Sequence, residues 1–224
     1  MPPRQQFVQC DSLRTLECEL DSIRDKLAIP ESEDTWDTLA KSVTRFTTLI
    51  QNGAANFPNE VATGLRSIAR PLNSAILSER SRLSGAGIDL LKAAAEWIGK
   101  AFDGLIPLYL PTLLTLCSRS NKVFISRAKA CVINIIEATQ APIILSYLAE
   151  ASKDKSLSLR LSAAEGCLAC LNSFNPPDLE KEVRGRDVET LIKSTATDPS
   201  ADIRKVGKRI FEAYKILLPH RVDT

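Results

Sequence analysis

Few residues in this chain have reactive potential, and their spacing says what they could do. Cys167 and Cys170 spell C-x-x-C, the pattern of a redox dithiol or of half a zinc site. A structural zinc ion needs four thiolate or imidazole ligands, and neither a second pair at zinc spacing nor a nearby histidine supplies the rest. The pair stands inside an apolar helical run, where a thiol behaves as a small hydrophobe. The same holds for most of Cys10, Cys18, Cys117 and Cys131, so reduced core thiols are expected rather than a disulfide framework. The one histidine, His220, lies in the last five residues and reads as solvated tail. Ser84-Gly85-Ala86-Gly87 contains G-x-G, but no strand precedes it, so close helix packing explains it better than a dinucleotide turn. The carboxylates fall in turns and on polar helix faces. These residues assemble no catalytic group, no metal site and no cofactor site, and the chain reads as a non-catalytic module.

What remains is a set of turns between helices. The chain has 44% hydrophobic and 25% charged residues, ordinary values for a globular protein. No apolar run approaches the roughly 18 residues of a membrane span, and the start lacks the apolar core of a secretory signal. A cytosolic or nuclear, membrane-free protein is therefore expected. The net charge of +2 hides an asymmetry: residues 1–60 hold ten acidic and six basic side chains, residues 61–224 seventeen and twenty-three. A basic majority on the later part suits an acidic partner. It is too weak for nucleic acid, whose domains usually have a pI above about 9.

Apolar residues recur at three and four positions, not in alternation, so the chain reads as helical nearly throughout. Asp11 and Ser12 can cap a first helix whose buried stripe is Leu13, Leu16, Leu20, Ile23 and Leu27, ended by Pro30. A second helix follows Trp36 and buries Leu39, Val43, Phe46 and Ile50. The plan repeats: a helix kinked at Pro71, a turn at Ser78–Ser81 and a helix to about Gly99; then a pair joined at Arg119–Lys122; then a pair joined at Asp154–Ser156. Asn175-Pro176-Pro177 and the charged run to Asp187 read as a surface link. A fifth pair from Val188 to Pro219 turns at Asp198-Pro199-Ser200-Ala201-Asp202, with the proline just inside the helix and Ile203, Val206, Ile210, Tyr214 and Leu217 as stripe. One hairpin per about 35 to 45 residues is the signature of an all-α solenoid of about five HEAT-like hairpins. Such hairpins share their cores, so a single domain over 11–219 is expected, with tails at 1–10 and 220–224.

In a solenoid the equivalent turns line up along one edge, at roughly the 10 Å spacing of packed helices. The turns and first helical residues after them hold, in order, Trp36; Arg80 and Arg82; Arg119 and Lys122; Lys153, Lys155 and Arg160; and Arg204 with Lys205. An indole beside a row of cations has the composition of an interface hot spot. The acidic flanks Glu33, Asp34 and Asp37 argue that Trp36 is exposed rather than tucked in as an end cap.

These residues resemble a TOG domain, and the chain is most similar to the amino-terminal TOG domains of the CLASP (cytoplasmic linker-associated protein) family. The resemblance runs from Asp11 to about Pro219 and rests on DTWDTLAKSV, ILSERSRLSGAGIDLLKAAAEWIG, YLPTLLTLCSRSNKVFISRAKACVINII, KDKSLSLRLSAAEGCLACL and DPSADIRKVGKRIFEAYKIL. It implies a monomeric module that binds αβ-tubulin or the microtubule lattice through its intra-repeat turns, in the cytoplasm and on the spindle. On that resemblance Trp36 is the apolar contact to β-tubulin, and Arg80, Lys122, Lys155, Arg160 and Arg204 are the basic turn contacts. Two positions depart from the family pattern: Ser78-Glu79 stands where an aspartate is usual, and five helical pairs stand where six are usual. The alternative reading is a HEAT scaffold that holds another acidic protein or peptide on its concave helix face.

Overall fold

In a computed structural model, which describes residues 9–222, helices and short turns account for the chain, and no strand occurs among the described residues. The helices are α1 (Leu13–Leu27), α2 (Trp36–Gln51), α3 (Pro58–Ser67), α4 (Ala69–Leu77), α5 (Ser81–Ile98), α6 (Ile106–Cys117), α7 (Lys122–Thr139), α8 (Ile144–Ala151), α9 (Leu157–Ser173), α10 (Pro176–Leu179), α11 (Glu182–Ala196) and α12 (Ala201–Leu217). They form two compact units, one through Tyr109 and one from Leu110.

In the first unit, Ser12 caps α1 by accepting the Thr15 N–H at 3.2 Å. The stripe of α1 is narrower than its leucines suggest: Leu16, Ile23 and Leu27 are buried, Leu20 is half-buried and Leu13 is exposed. Leu39, Val43, Phe46 and Ile50 of α2 are all buried, as their spacing predicts, and α2 packs along α5. The helix expected to kink at Pro71 breaks three residues earlier, at Ile68, because a proline at position 71 clashes with the turn before it. The G-x-G segment is a helix contact: a Cβ on Gly87 would stand 2.6 Å from Cγ1 of Ile76 in α4. Gly166 against Leu148 and Gly207 against Thr195 repeat this close approach in the later hairpins.

The second unit packs α7 on α9 and α9 on α12, with α8 and α11 behind. Cys117, Cys131, Cys167 and Cys170 form no disulfide and are buried here, as is Cys10 in the first unit, while Cys18 is exposed. Burial pushes the Cys167 thiol up to about 12 and Cys170 well above the ordinary thiol value, so both stay protonated packing groups. Three expectations change. The charged run read as a surface link is helical: α10 takes the two prolines in its first turn and α11 begins at Glu182, not Val188. Its buried positions include Gly185, which carries no apolar signal, and Arg186 pairs with Glu182 at 2.7 Å along the helix surface. At α12 the cap is Ser200, so Pro199 precedes the helix instead of opening it. Val206 and Leu217 are only half-buried there, and Gly207 and Leu218 take the inner places.

Neither end segment is loose over its described part. Cys10 is 1% exposed and donates its N–H to Asn52 O at 2.8 Å. Arg221 reaches back from the 3-10 turn Pro219–Arg221 to Glu182 at 2.8 Å and Glu189 at 3.0 Å, crossing over Gly185, while His220 is exposed. Gly53 takes φ +113° under the Cys10 segment, where a Cβ would meet Cys10 O at 2.6 Å; Gly99 takes φ +50° with nothing within 4 Å. Gly99→Ala is expected to lower stability by about 1–3 kcal/mol from backbone strain alone. Gly53→Ala must lower it further, since the Cys10 segment has to move as well; urea unfolding of both variants checks the order.

Candidate functional site

The first two turns do not stand side by side as separate sites; they interlock. The turn before α2 is tied by Thr35, whose hydroxyl donates to Pro30 O at 2.7 Å and accepts the Ser32 N–H at 2.8 Å. This places Trp36 at the first position of α2, half-buried. Its cover is the second turn: the Arg80 guanidinium lies 5.3 Å from the indole centroid and that of Arg82 6.0 Å. Trp36 is therefore neither a bare anchor nor a core residue but an aromatic plate under two cations.

Carboxylates from the first turn hold both arginines there. Arg80 pairs with Glu33 at 2.7 Å and Glu31 at 3.4 Å, and Glu31 also accepts from Ser78 at 2.7 Å, the position where the family pattern departs. Arg82 pairs with Asp37 at 2.6 Å, and Lys41 reaches the other oxygen of Asp37 at 2.6 Å. The Lys41 hydrogen bond, with the added charges of Lys41 and Arg82, holds the Asp37 carboxyl below its usual range. Of the acidic flanks that argued for an exposed tryptophan, Glu33 and Asp37 instead hold its cover in place.

In the second unit the turn cations divide into two kinds. Arg160 donates from Nη1 to the carbonyls of Asp154 and Lys155, each at 3.0 Å, and pairs with Asp198 at 2.7 Å. Arg204 does the same one hairpin later, donating to Asp198 O at 2.7 Å and Pro199 O at 2.8 Å. In both turns the aspartate side chain accepts the N–H of the serine two residues on, at 2.7 and 2.8 Å. The shared spacing is D-x-S-x-x-x-R, at Asp154, Ser156 and Arg160 and again at Asp198, Ser200 and Arg204. That repeat is in the sequence, and a search for repeated cations alone misses it because its aspartate and serine carry the register. Arg160 and Arg204 are turn staples. The Arg160 hydrogen bond, more than any other contact, holds the buried Asp198 carboxyl below its ordinary range.

The remaining cations face solvent in different degrees. The Arg119 guanidinium lies over the Phe124 ring at 5.6 Å, and exposed Lys153 pairs with Glu150 at 2.9 Å. Lys122, at the first position of α7 behind the Asn121 cap, is exposed, as are Lys155 and Lys205; none of the three has an ion-pair partner among the described residues. Lys122 lines a shallow groove of about 550 Å³ with Ser118, Arg119, Ser120 and Leu157. Leu157 and Val123 are more than half exposed beside these turns.

Residues 16–224 match the family described as CLASP N terminal. The chain belongs to the CLASP N-terminal family. Protein STU1 of Chaetomium globosum is 30% identical over 198 residues, which cover 86% of this chain and 18% of that protein. Protein stu1 of Aspergillus oryzae is 27% identical over 195 residues, covering 85% of this chain and 16% of that protein. The chain thus spans less than a fifth of the length of these relatives. Among solved structures, the MAST/Orbit N-terminal domain is similar with TM-score 0.64 and 14% identity, over 88% of this chain and 84% of that one. The CEP104 TOG domain is similar with TM-score 0.63 and 17% identity, over 93% and 89%. The CLASP-family chain therefore has the TOG fold of HEAT-like helical hairpins.

If Arg160 and Arg204 are staples, removing either destabilises the protein. Arg160→Ala and Arg204→Ala are each expected to lower unfolding free energy by about 1.5–3 kcal/mol, the range for hydrogen bonds to a charged group. Lys155→Ala should stay within about 0.5 kcal/mol. Because the Asp198 pKa is lowered on folding, its contribution is complete above the ordinary aspartate range and is lost as the pH falls through the lowered value. The urea midpoints of wild type and Asp198→Asn should accordingly converge only in acid.

Proposed function

We propose that this chain is a non-catalytic, microtubule-associated TOG module that binds αβ-tubulin with its intra-hairpin turns. The observation that carries the reading is the half-buried Trp36 plate at the head of α2, roofed by Arg80 and Arg82 and flanked by Glu31, Glu33 and Asp37. Membership of the CLASP N-terminal family and likeness to a TOG domain support it. In the first unit, Trp36 supplies apolar area while the arginines, already held in place, lose little side-chain entropy on binding. In the second unit, Lys122, Lys155 and Lys205 present unpaired charge to an acidic surface, with Arg119 over Phe124 and Lys153 paired to Glu150 beside them, and the stapling arginines Arg160 and Arg204 fix the backbone that carries the lysines.

The pairing of the arginines bears on both rate and affinity. The net field of the first site is small, since its arginines are neutralised internally, so long-range steering belongs to the lysines. Affinity should therefore fall with ionic strength through slower association. The partner must also compete with Glu33 and Asp37 for Arg80 and Arg82, which makes those carboxylates restraints on binding.

Gel filtration or sedimentation with purified αβ-tubulin tests the reading. Wild type is expected to co-migrate with tubulin, and the Trp36→Ala, Lys122→Ala double variant to lose at least about tenfold in affinity, the scale of a hot-spot truncation. Equal co-migration of both proteins, each shown helical by circular dichroism, would contradict the assignment.

A further inference from the structure

Unpaired positive charge continues from the last turn along the exposed face of α12. Lys205, Lys208 and Arg209 are exposed and have no carboxylate partner among the described residues, in contrast to Arg80, Arg82 and Arg160. Lys205 and Lys208 adjoin a groove of about 590 Å³ between α11 and α12. Ile192, Ala196 and Gly207 give it an apolar lining, and Phe211 forms one wall. Arg204, Lys205 and Lys208 form its polar rim, and no carboxylate lines it. Phe211 is 38% exposed, with the Lys215 ammonium 5.2 Å from its ring centroid.

We infer that this groove is a second binding site, for an acidic peptide segment that inserts one apolar side chain. The charge pattern selects the partner. An apolar floor alone would accept any hydrophobic surface, but a rim of cations without a counter-carboxylate repels basic segments and draws in glutamate- or aspartate-rich ones. Ala196 and Gly207 leave space beside Ile192 and Phe211, so a leucine-sized side chain between two acidic residues has room to enter while its neighbours meet Lys205 and Lys208. Exposed ion pairs are individually weak, so binding rests on the apolar insertion and the rim together. The site shares Arg204 and Lys205 with the last turn but neither the Trp36 plate nor Lys122, and Lys208 and Phe211 are the residues that separate it from tubulin binding by the turns.

Fluorescence anisotropy with a labelled peptide of alternating glutamate and glycine around one central leucine tests the inference. Wild type should bind it at least about tenfold more tightly than it binds the same peptide with glycine in place of leucine, or with lysine in place of glutamate. Lys208→Glu and Phe211→Ser should each weaken binding by a similar factor. Neither residue belongs to the turns, so Trp36→Ala, Lys122→Ala should bind the peptide as wild type does. Lys208 is exposed and unpaired, so its variant decides the matter even if Phe211→Ser folds poorly. Equal binding by Lys208→Glu, equal binding of the leucine-free peptide, or a self-association in sedimentation velocity that Phe211→Ser abolishes would each overturn it, the last by making a second copy the occupant.

Discussion

A helical hairpin of this length has one apolar stripe per helix and too few neighbours of its own to cover it. Burying a leucine-sized side chain is worth about 1.5–3 kcal/mol, so an uncovered stripe of four or five forfeits most of a domain's net stability. Each unit meets this constraint by packing second helices together, α2 on α5 in one and α7, α9 and α12 in the other. The glycines at the crossings follow from it, because close approach needs Gly87 at Ile76, Gly166 at Leu148 and Gly207 at Thr195. So do the turns, which have to return the chain at the right angle for the next helix to dock.

That requirement explains why many charged side chains in the turns are bound internally. Arg160 and Arg204 close their own turns onto backbone carbonyls, and Asp198 serves both, through its side chain to Arg160 and its carbonyl to Arg204. Arg80 and Arg82 join two successive turns over an indole. The same residues that fix the backbone geometry thus decide which charges are left for a partner. Lys122, Lys155 and Lys205 are among the turn charges that remain.

Helix existence and the positions of the turns were legible in the sequence because they depend on local spacing: the stripe of α2 and the turns at Asn121 and Ser156 stand where the pattern puts them. The charged start of α11 was not, because its inward position is a glycine and its surface is stabilised by pairs that look like a solvated loop. At the site, the residue types were legible and their pairing was not. Glu33 and Asp37 are compatible with either a solvated turn or a brace for arginines that lie more than forty positions along the chain, and only the packing of α2 on α5 brings the two together. The D-x-S-x-x-x-R register was present in the letters, but its meaning lies in backbone carbonyls that a sequence does not display.

Trp36, under its arginine cover, is on this reading the part of the first unit that meets tubulin. That is tested most directly by ¹⁹F NMR of protein labelled with 5-fluorotryptophan, since the chain has 2 tryptophans and Trp97→Phe assigns the signals. Unlabelled tubulin should shift or broaden the Trp36 resonance while exposed Trp97 keeps its position. A Trp36 resonance unchanged at tubulin concentrations that retain the protein would contradict it.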